Sequence, residues 1–593
     1  MKYSKIRQVN QRLWYCPDRM IIALNGGNVT ESSRPVGSRR FTAILLIVAL
    51  SALFFSVRID STETLVTNDE PFWLGRSANF SRAIGQWDPE DTYQMAHPGV
   101  PVMWAGAVAF WINGSEYSEH YTDNTDFPFF IDERLVAAGI DPLEMLQHAR
   151  VIKLGLETVI FAISTALVIA IGSRLLAAMT GVLIALDPFL AGFGPLLHVD
   201  SLLAMSLFAA SLAIAWAMQD PDRRSRWLVA GILEAIAVLT RSTAAAIGIP
   251  LAVAWLMAWR KSGRAISVQA AGVWIAGFAA TYILSWPVLW VDPVGTARAM
   301  IDWTLGAASG GHEHQLFFNG EITFDDPGWL FYPVTMLWRT TPVAWLGLGL
   351  FLLSLRSQSV RERIRPFAPV LLMAAVYLVV MSLGAKKFDR YVLPVYPVIS
   401  MIAAFGFDSA IRFIATRLPR LKQIVPAAGL AAVAVFSLIP LANSGPYHLN
   451  YYNEIMRLFE RPENAIQIGW GEGGSEVITF LESESDRLGR PVVAQTFSIP
   501  QESVPPPLKY FLIDDAEQTD RIRFNNVGLT NPDDWNDTDY YVFNIQQTQR
   551  GMVDDYVLFA DAEPVHSVKL GGVVIWEIYA PNQLPVPEAI SGD

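Results

Sequence analysis

Eleven apolar runs of spanning or near-spanning length dominate the chain, and four alternate gaps between the later ones carry clusters of Arg and Lys. The runs lie near 41–57, 151–172, 175–191, 200–218, 228–240, 243–259, 267–291, 334–355, 367–384, 391–411 and 424–441. The basic gaps hold Arg223/Arg224/Arg226, Arg260/Lys261/Arg264, Arg356/Arg361/Arg363/Arg365 and Arg412/Arg417/Arg420/Lys422. Cytoplasmic loops are the ones enriched in Lys and Arg, so all four clusters are expected inside. Only 17% of residues are charged, below the roughly 25% of soluble domains. A soluble globular protein is thereby excluded, and nothing in the charge pattern points to nucleic acid.

Residues 1–40 contain eight Lys/Arg against two acidic residues, around a Gly/Asn/Ser stretch, and read as a disordered cytoplasmic tail. The uncharged run Phe41–Val57 reads as the first span. The basic region is too long for a signal peptide, and no small-residue cleavage site closes the run. The single cysteine, Cys16, lies in this tail, so no disulfide can staple the soluble parts.

One segment tests the topology. Gly99–Ile112 is apolar but short of the roughly 20 residues a span needs. As a full span it would invert every later helix and put all four basic clusters outside. It is therefore expected to lie along the membrane surface or to dip in and return. The first outer loop then runs from Arg58 to about Arg150. It shares the outer face with His198–Asp200, the loop 292–330, the segment Lys386–Arg390 and a tail, 443–593.

Chemistry-bearing residues gather on that face. In Thr67-Asn68-Asp69-Glu70-Pro71-Phe72-Trp73, a carboxylate beside aromatic residues at the bilayer surface is poised for a raised pKa and general-base work, although Asn68 or Asp69 before Pro71 is also good helix-capping chemistry. His97 precedes the short segment, where it is placed to meet an anionic head group. Asp200, in His198-Val199-Asp200-Ser201, opens a membrane helix, either as a cap or as a functional group at membrane depth. His312 and His314 flank Glu313 and are candidate metal ligands, although a closed site needs three or four. Lys386, Lys387 and Arg390, with Tyr391, put three cations where positive-inside statistics disfavour them. A phosphate is the physical reason to keep them there; snorkelling to lipid head groups is the alternative.

The order Asp69-Glu70, His97-Pro98-Gly99, Asp200, Gly311-His312, Asp326-Pro327-Gly328-Trp329 and Arg390-Tyr391-Val392-Leu393-Pro394 resembles the GT-C membrane glycosyltransferases. The resemblance is to the protein-mannosyltransferase-like (family 39) and aminoarabinose-transferase-like group, and it covers nearly the whole chain. Pro446–Asn453 and Gly469-Trp470-Gly471-Glu472-Gly473 are similar to segments of bacterial members. The resemblance implies a polytopic α-helical GT-C-like fold with about eleven transmembrane helices and a C-terminal extracytoplasmic α/β domain. It implies a sugar donor on a polyprenyl phosphate and a protein, lipid or glycan acceptor. Asp69 matches the catalytic aspartate, with Glu70 beside it and Asp200 counted with them. Arg390 with Lys386 or Lys387 would hold the departing phosphate, with Tyr391 and His97 nearby. Cationic side chains holding a monophosphate leave no requirement for metal, while some relatives bind a divalent ion near the position of His312. Gly99 stands where the family usually has a second proline, and no basic residue follows Pro98.

From Asn443 the chain is polar. Strands are expected at Pro491–Phe497, Tyr540–Asn544 and Val573–Ile578, and a helix over Ser475–Leu488. Gly469–Gly474 is glycine-rich but lacks a phosphate-loop lysine. The tail reads as a small α/β domain that binds acceptor or supports the outer loops. A transporter or flippase of lipid-linked sugar is the rival reading, but no internal repeat supports it. A non-catalytic lipid-phosphate binder is the third.

Overall fold

A computed structural model describes residues 36–124, 130–310, 315–496, 504–513, 521–525, 538–552, 559 and 562–581. His312 and His314 lie outside the described residues, as does most of the tail 1–40.

The apolar runs fold as helices, and the chain is a multi-pass membrane protein. Among the described residues, eight helices of 18 or more residues are long and apolar enough to cross a bilayer, or nine if one bent pair counts as a single span, and the shorter helices Arg174–Ala185 and Arg224–Thr240 occupy the other two of the eleven runs. Three of the runs are short or broken, each for a local reason. The run 175–191 breaks after Arg174–Ala185, a helix of 12 residues, because Asp187 caps a new short helix by accepting from Leu190 N at 2.9 Å and Pro188 follows. The run 228–240 belongs to Arg224–Thr240, 17 residues with an arginine-rich start. The run 334–355 bends by 111° between Phe331–Arg339 and Pro342–Ser354, where Thr341 caps the second helix just before Pro342.

Each break exposes carbonyls that need donors. Arg58, fully buried, donates to Ile184 O at 3.2 Å and Ala185 O at 3.1 Å. At the bend, Asn453 N–H reaches Trp338 O at 2.7 Å and its side-chain amide donates to Thr340 O. Arg339 is held in turn by Leu449 O at 2.7 Å, Tyr451 O at 2.9 Å and the Asp389 carboxylate at 2.8 Å. The segment Tyr447–Asn453, whose motif the sequence displays without a role, therefore ties the C-terminal region to the bent helix and to the residue before Arg390.

Val199–Gln219 is the central helix, almost wholly buried against Pro142–Ile171 and Arg224–Thr240. The short apolar segment is the helix Val100–Asn113. Its 14 residues span only about 21 Å, and it packs against Glu70–Gly85 and Pro142–Ile171, with Trp111 and Ile112 exposed. At 14 residues it falls short of the roughly 20 that a straight span needs.

The bundle has two chemically different ends. Val199–Gln219 starts at Asp200 and ends just before Arg223, and Arg224–Thr240 returns to Arg241, which pairs with Asp200. Ala368–Leu383 follows the arginines 361–365 and ends just before Lys386, and Tyr396–Arg417 leads from the Arg390 end back to Arg412 and Arg417. The basic clusters and the candidate site thus occupy opposite ends of the same helices.

A hairpin of β1 (Leu316–Phe318) and β2 (Glu321–Thr323) lies in the loop 292–330. The C-terminal region holds a five-stranded sheet of β3 (Val492–Thr496), β4 (Ile522–Asn525), β5 (Tyr540–Asn544), β6 (His566–Leu570) and β7 (Val573–Tyr579), in the order β4-β3-β5-β7-β6. β3 pairs parallel with β4 and β5, whereas β7 pairs antiparallel with β5 and β6. The expected strands and helix are present, the helix as Gly474–Leu488. β4 and β6, short and rich in polar residues, are additions to the sequence reading.

Candidate active site

Asp69 stands immediately before the helix Glu70–Gly85, with Pro71 in its first turn, but its side chain makes no capping hydrogen bond. It faces instead a cluster from three distant elements. Arg390 Nη2 lies 3.3 Å from Asp69 Oδ2, and His198 Nε2 lies 3.6 Å from the same oxygen. On its other side His198 Nδ1 is 3.2 Å from Asp200 Oδ2. Asp200, 1% exposed, also meets Arg241 at 2.7 Å and Arg390 Nε at 3.4 Å. His198 bridges a buried carboxylate and a carboxylate that remains 36% exposed.

That exposure matters, because a base must be reached by the group it deprotonates. Burial pushes the Asp69 carboxyl up, but His198 and Arg390 outweigh it and hold the group below its ordinary value. The raised value expected between Phe72 and Trp73 is therefore corrected: the neighbouring cations, not the aromatic rings, decide the sign. Burial lowers the His198 imidazole, and Asp200 with Asp69 more than reverses this, so His198 titrates above its ordinary value. If Asp69 serves as the base of a reaction, the rate should then show no acid limb from it down to about pH 5. It should decline on the alkaline side, as His198 loses its proton and the bridge between the two carboxylates weakens. A pH–rate profile checks this, and an acid limb centred near pH 6 would move the base elsewhere.

Glu70 has a different place. It is fully buried and accepts from Arg150 Nε at 2.8 Å, Arg150 Nη2 at 2.6 Å, Thr67 N at 3.0 Å and Leu197 N at 2.8 Å. Arg150, equally buried, also donates to Leu65 O at 2.7 Å. Glu70 is thus a pin that fixes the first outer segment against the residue before His198, and it is corrected from a catalytic partner to a structural one. Its carboxyl is pushed up by burial and brought back below its ordinary value by Arg150.

A cavity of about 790 Å³ opens beside Asp69. Its polar lining includes Asp69, Arg76, His97, His198, Arg241, Lys386, Arg390, Tyr391 and Arg550, and its apolar lining Ala245, Ala246, Trp303, Val380, Met381 and Leu383. Asp69 is the only carboxylate among these lining residues, so the cavity is electropositive. Lys386 faces it. Lys387 does not: its side chain is buried in an ion pair with Asp326 and donates to Gly328 O at 3.2 Å. Of the two lysines offered for the phosphate, the structure brings only Lys386 to the site. Tyr391 lies under the Arg241 guanidinium, 4.2 Å from the ring centre.

His97 sits between Trp303 (5.2 Å) and Trp73 (6.1 Å). Burial and Arg241 push its imidazole well below its ordinary value, so it meets a ligand as a neutral hydrogen-bonding group, not as a cation. Gly99 explains its own place. It has φ +59°, and a Cβ there would lie 2.1 Å from the Trp73 ring, so the usual proline would not fit against this tryptophan.

Arg76, Arg241 and Arg550 of the cavity lining escaped the sequence reading, and Trp470 appeared in it only as part of a motif without a role. Arg241 is a single cation between two apolar runs on the face opposite the basic clusters, a signal that was readable. Arg550 and Trp470 come from the C-terminal region; the glycine-rich motif around Trp470 was visible, but nothing local assigns either residue to the site. Among the described residues no group of three or more His, Cys, Asp or Glu is arranged to hold a metal.

Residues 320–469 match the Alg9-like mannosyltransferase family. The matched segment, about a quarter of the chain, carries Asp326–Trp329, Lys386–Pro394 and Tyr447–Asn453, and it agrees with the glycosyltransferase resemblance of the sequence. Among solved structures, ArnT from Cupriavidus metallidurans bound to undecaprenyl phosphate is similar at 14% identity over 91% of this chain and 99% of that one, with a TM-score of 0.45. The Archaeoglobus fulgidus oligosaccharyltransferase in its apo form is similar at 12% identity over 86% and 70%, with a TM-score of 0.44. No curated protein matches the chain. The matched segment supplies Lys386 and Arg390 of the cavity lining, whereas Asp69, Arg76, His198, Arg241 and Arg550 come from outside it.

Proposed function

We propose that this chain is an inverting glycosyltransferase that moves a sugar, a mannose-type hexose or similar, from a polyprenyl-phosphate donor to an extracytoplasmic protein, lipid or glycan acceptor. The supporting observation is the juxtaposition in one cavity of an exposed carboxylate, a cationic cluster and an apolar wall. A lipid phosphate is the amphiphile that such a cavity suits, with isoprene units on Val380, Met381 and Leu383 and the phosphate on Arg390 and Lys386. The acceptor hydroxyl gives its proton to Asp69 while its oxygen bonds to the anomeric carbon. The bond from that carbon to the phosphate oxygen breaks, and its electron pair leaves with the phosphate. One displacement inverts the anomeric centre. Arg390 stabilises the charge that develops on the leaving oxygen, a contribution that grows in a water-poor site.

The basic clusters lie at the far end of the same helices, so the positive-inside rule puts this site on the outer face, the N-terminus in the cytoplasm and the C-terminal domain outside. A transporter would line a path between the two ends, whereas these ionisable groups share one end.

The test is transfer from a panel of radiolabelled polyprenyl-phosphate sugars to endogenous acceptors, in membranes containing wild type or Arg390→Ala. Wild type should transfer one sugar of the panel. Arg390→Ala should raise the donor KM or lower kcat/KM by about 10–100-fold, the loss of a charge-assisted hydrogen bond. Transfer by neither protein from any donor, with both inserted, would return the lipid-linked-sugar transporter to first place. The chemistry as proposed needs no metal, so EDTA should leave the rate unchanged. Loss restored by Mg²⁺ or Mn²⁺ would assign a divalent ion to the region of His312 and His314.

A further inference from the structure

The glycine-rich loop Gly469–Gly474 has no phosphate-loop lysine, yet it reaches the centre of the site. Trp470, 8% exposed, lies 4.3 Å from the Arg390 guanidinium, measured to the ring centre, and meets the His198 ring edge-on at 5.2 Å and 87°. Phe193 backs it at 5.8 Å. We infer that Trp470 is a positioning residue, which the C-terminal domain inserts so that its indole holds Arg390 and His198 in place without using their hydrogen-bonding atoms. The inference rests on the reading of Asp69 and Arg390 given above.

The ion pairs around Arg390 do not fix it by themselves. Its contacts to Asp69 and Asp200 are 3.3 and 3.4 Å, longer than the roughly 2.7–2.9 Å of a firm charge-assisted bond. Its Nε has no hydrogen-bond partner. Two aromatic rings flank it instead, Trp470 at 4.3 Å and Phe388 at 4.6 Å. An aromatic face attracts a cation through its quadrupole and consumes no N–H donor. The guanidinium is thereby oriented while its fork stays open to a phosphate.

The loop is built to hold this ring still. Gly471 has φ +119°, and a Cβ there would lie 2.3 Å from Val66 O, so the loop sits directly on the segment that leads to Asp69. Trp470 N–H donates to the buried Glu472 carboxylate at 2.5 Å, and Trp576 of β7 donates to Glu472 O at 2.7 Å. The sheet is in this way connected to the indole through one residue.

The experiment measures binding of undecaprenyl phosphate, and sugar transfer, by full-length purified protein. The variants are Trp470→Phe, Trp470→Leu, Arg390→Ala and the Trp470→Leu/Arg390→Ala double. Trp470→Phe keeps an aromatic face and should bind within about threefold of wild type, whereas Trp470→Leu, which fills space without one, should bind about tenfold more weakly. In the Arg390→Ala background Trp470→Leu should cost nothing further in binding, because the pair acts through one contact. Leu equal to Phe in the wild-type background, or a full additional loss in the double variant, would make Trp470 a packing residue and overturn the inference while leaving the site reading intact. Wild type that binds no undecaprenyl phosphate would overturn both. If Trp470→Leu does not accumulate, Trp470→Met against Trp470→Phe makes the same comparison.

Discussion

Asp69→Asn should reduce sugar transfer by about 10²–10⁴-fold, the range a general base contributes, while leaving the protein folded and still able to bind the lipid phosphate. The amide keeps the shape of the carboxylate and removes its capacity to take a proton. Asp69 is also the one carboxylate of the cavity lining, so the change makes the cavity more positive and should not weaken phosphate binding. Transfer and undecaprenyl-phosphate binding, measured on the same preparation, separate the two effects. Equal transfer by mutant and wild type would remove Asp69 as the base and reopen the binder and transporter readings.

The neighbouring residue should behave in the opposite way. Glu70→Ala leaves Arg150 buried with no countercharge, and breaking a buried pair of this kind costs about 3–5 kcal/mol. Arg150→Ala should cost a similar amount, since it strands Glu70. The pair links residues 80 apart in sequence, and Glu70 also binds Leu197 N, one residue before His198. Both variants should therefore show poor accumulation and a lower thermal unfolding midpoint in detergent, with transfer falling in proportion to folded protein. A Glu70→Ala protein with a wild-type midpoint and no transfer would restore Glu70 to the chemistry.

Much of this was legible from residue types alone. Apolar runs and the basic gaps between them gave the helical bundle and its two ends, and Lys386-Lys387-Phe388-Asp389-Arg390 stood out because cations on that face need a cause. The failures have physical reasons. Asp69 and Glu70 are adjacent, and successive residues at a helix start project about 100° apart, so one faces the cavity and the other the core; the sequence shows only two acids. Lys386 and Lys387, in the irregular segment between Ala368–Leu383 and Asp389–Val395, also part, one to the cavity and one to Asp326. Hydropathy gave the runs but not their breaks: the caps at Asp187-Pro188 and Thr341-Pro342 interrupt helices inside runs that are mostly apolar. The roles of Trp470 and Arg550 were not legible because they depend on contacts with residues distant in the chain, Arg390 and His198 for Trp470.

The hold on Arg339 also sets an order of events at the ribosome. Its acceptor Leu449 O is made 110 residues later, which at roughly 5–20 residues per second means a wait of roughly 5–20 s. Through that interval the bent helix has entered the membrane without the groups that close its bend. Completion must wait for Val425–Ser444 to be inserted and for Tyr447–Asn453 to emerge on the other side. A chain stopped at the last membrane helix is therefore not a smaller version of the enzyme but an unfinished one, and an exchange of C-terminal domains between relatives would have to carry this segment with the membrane part that it closes.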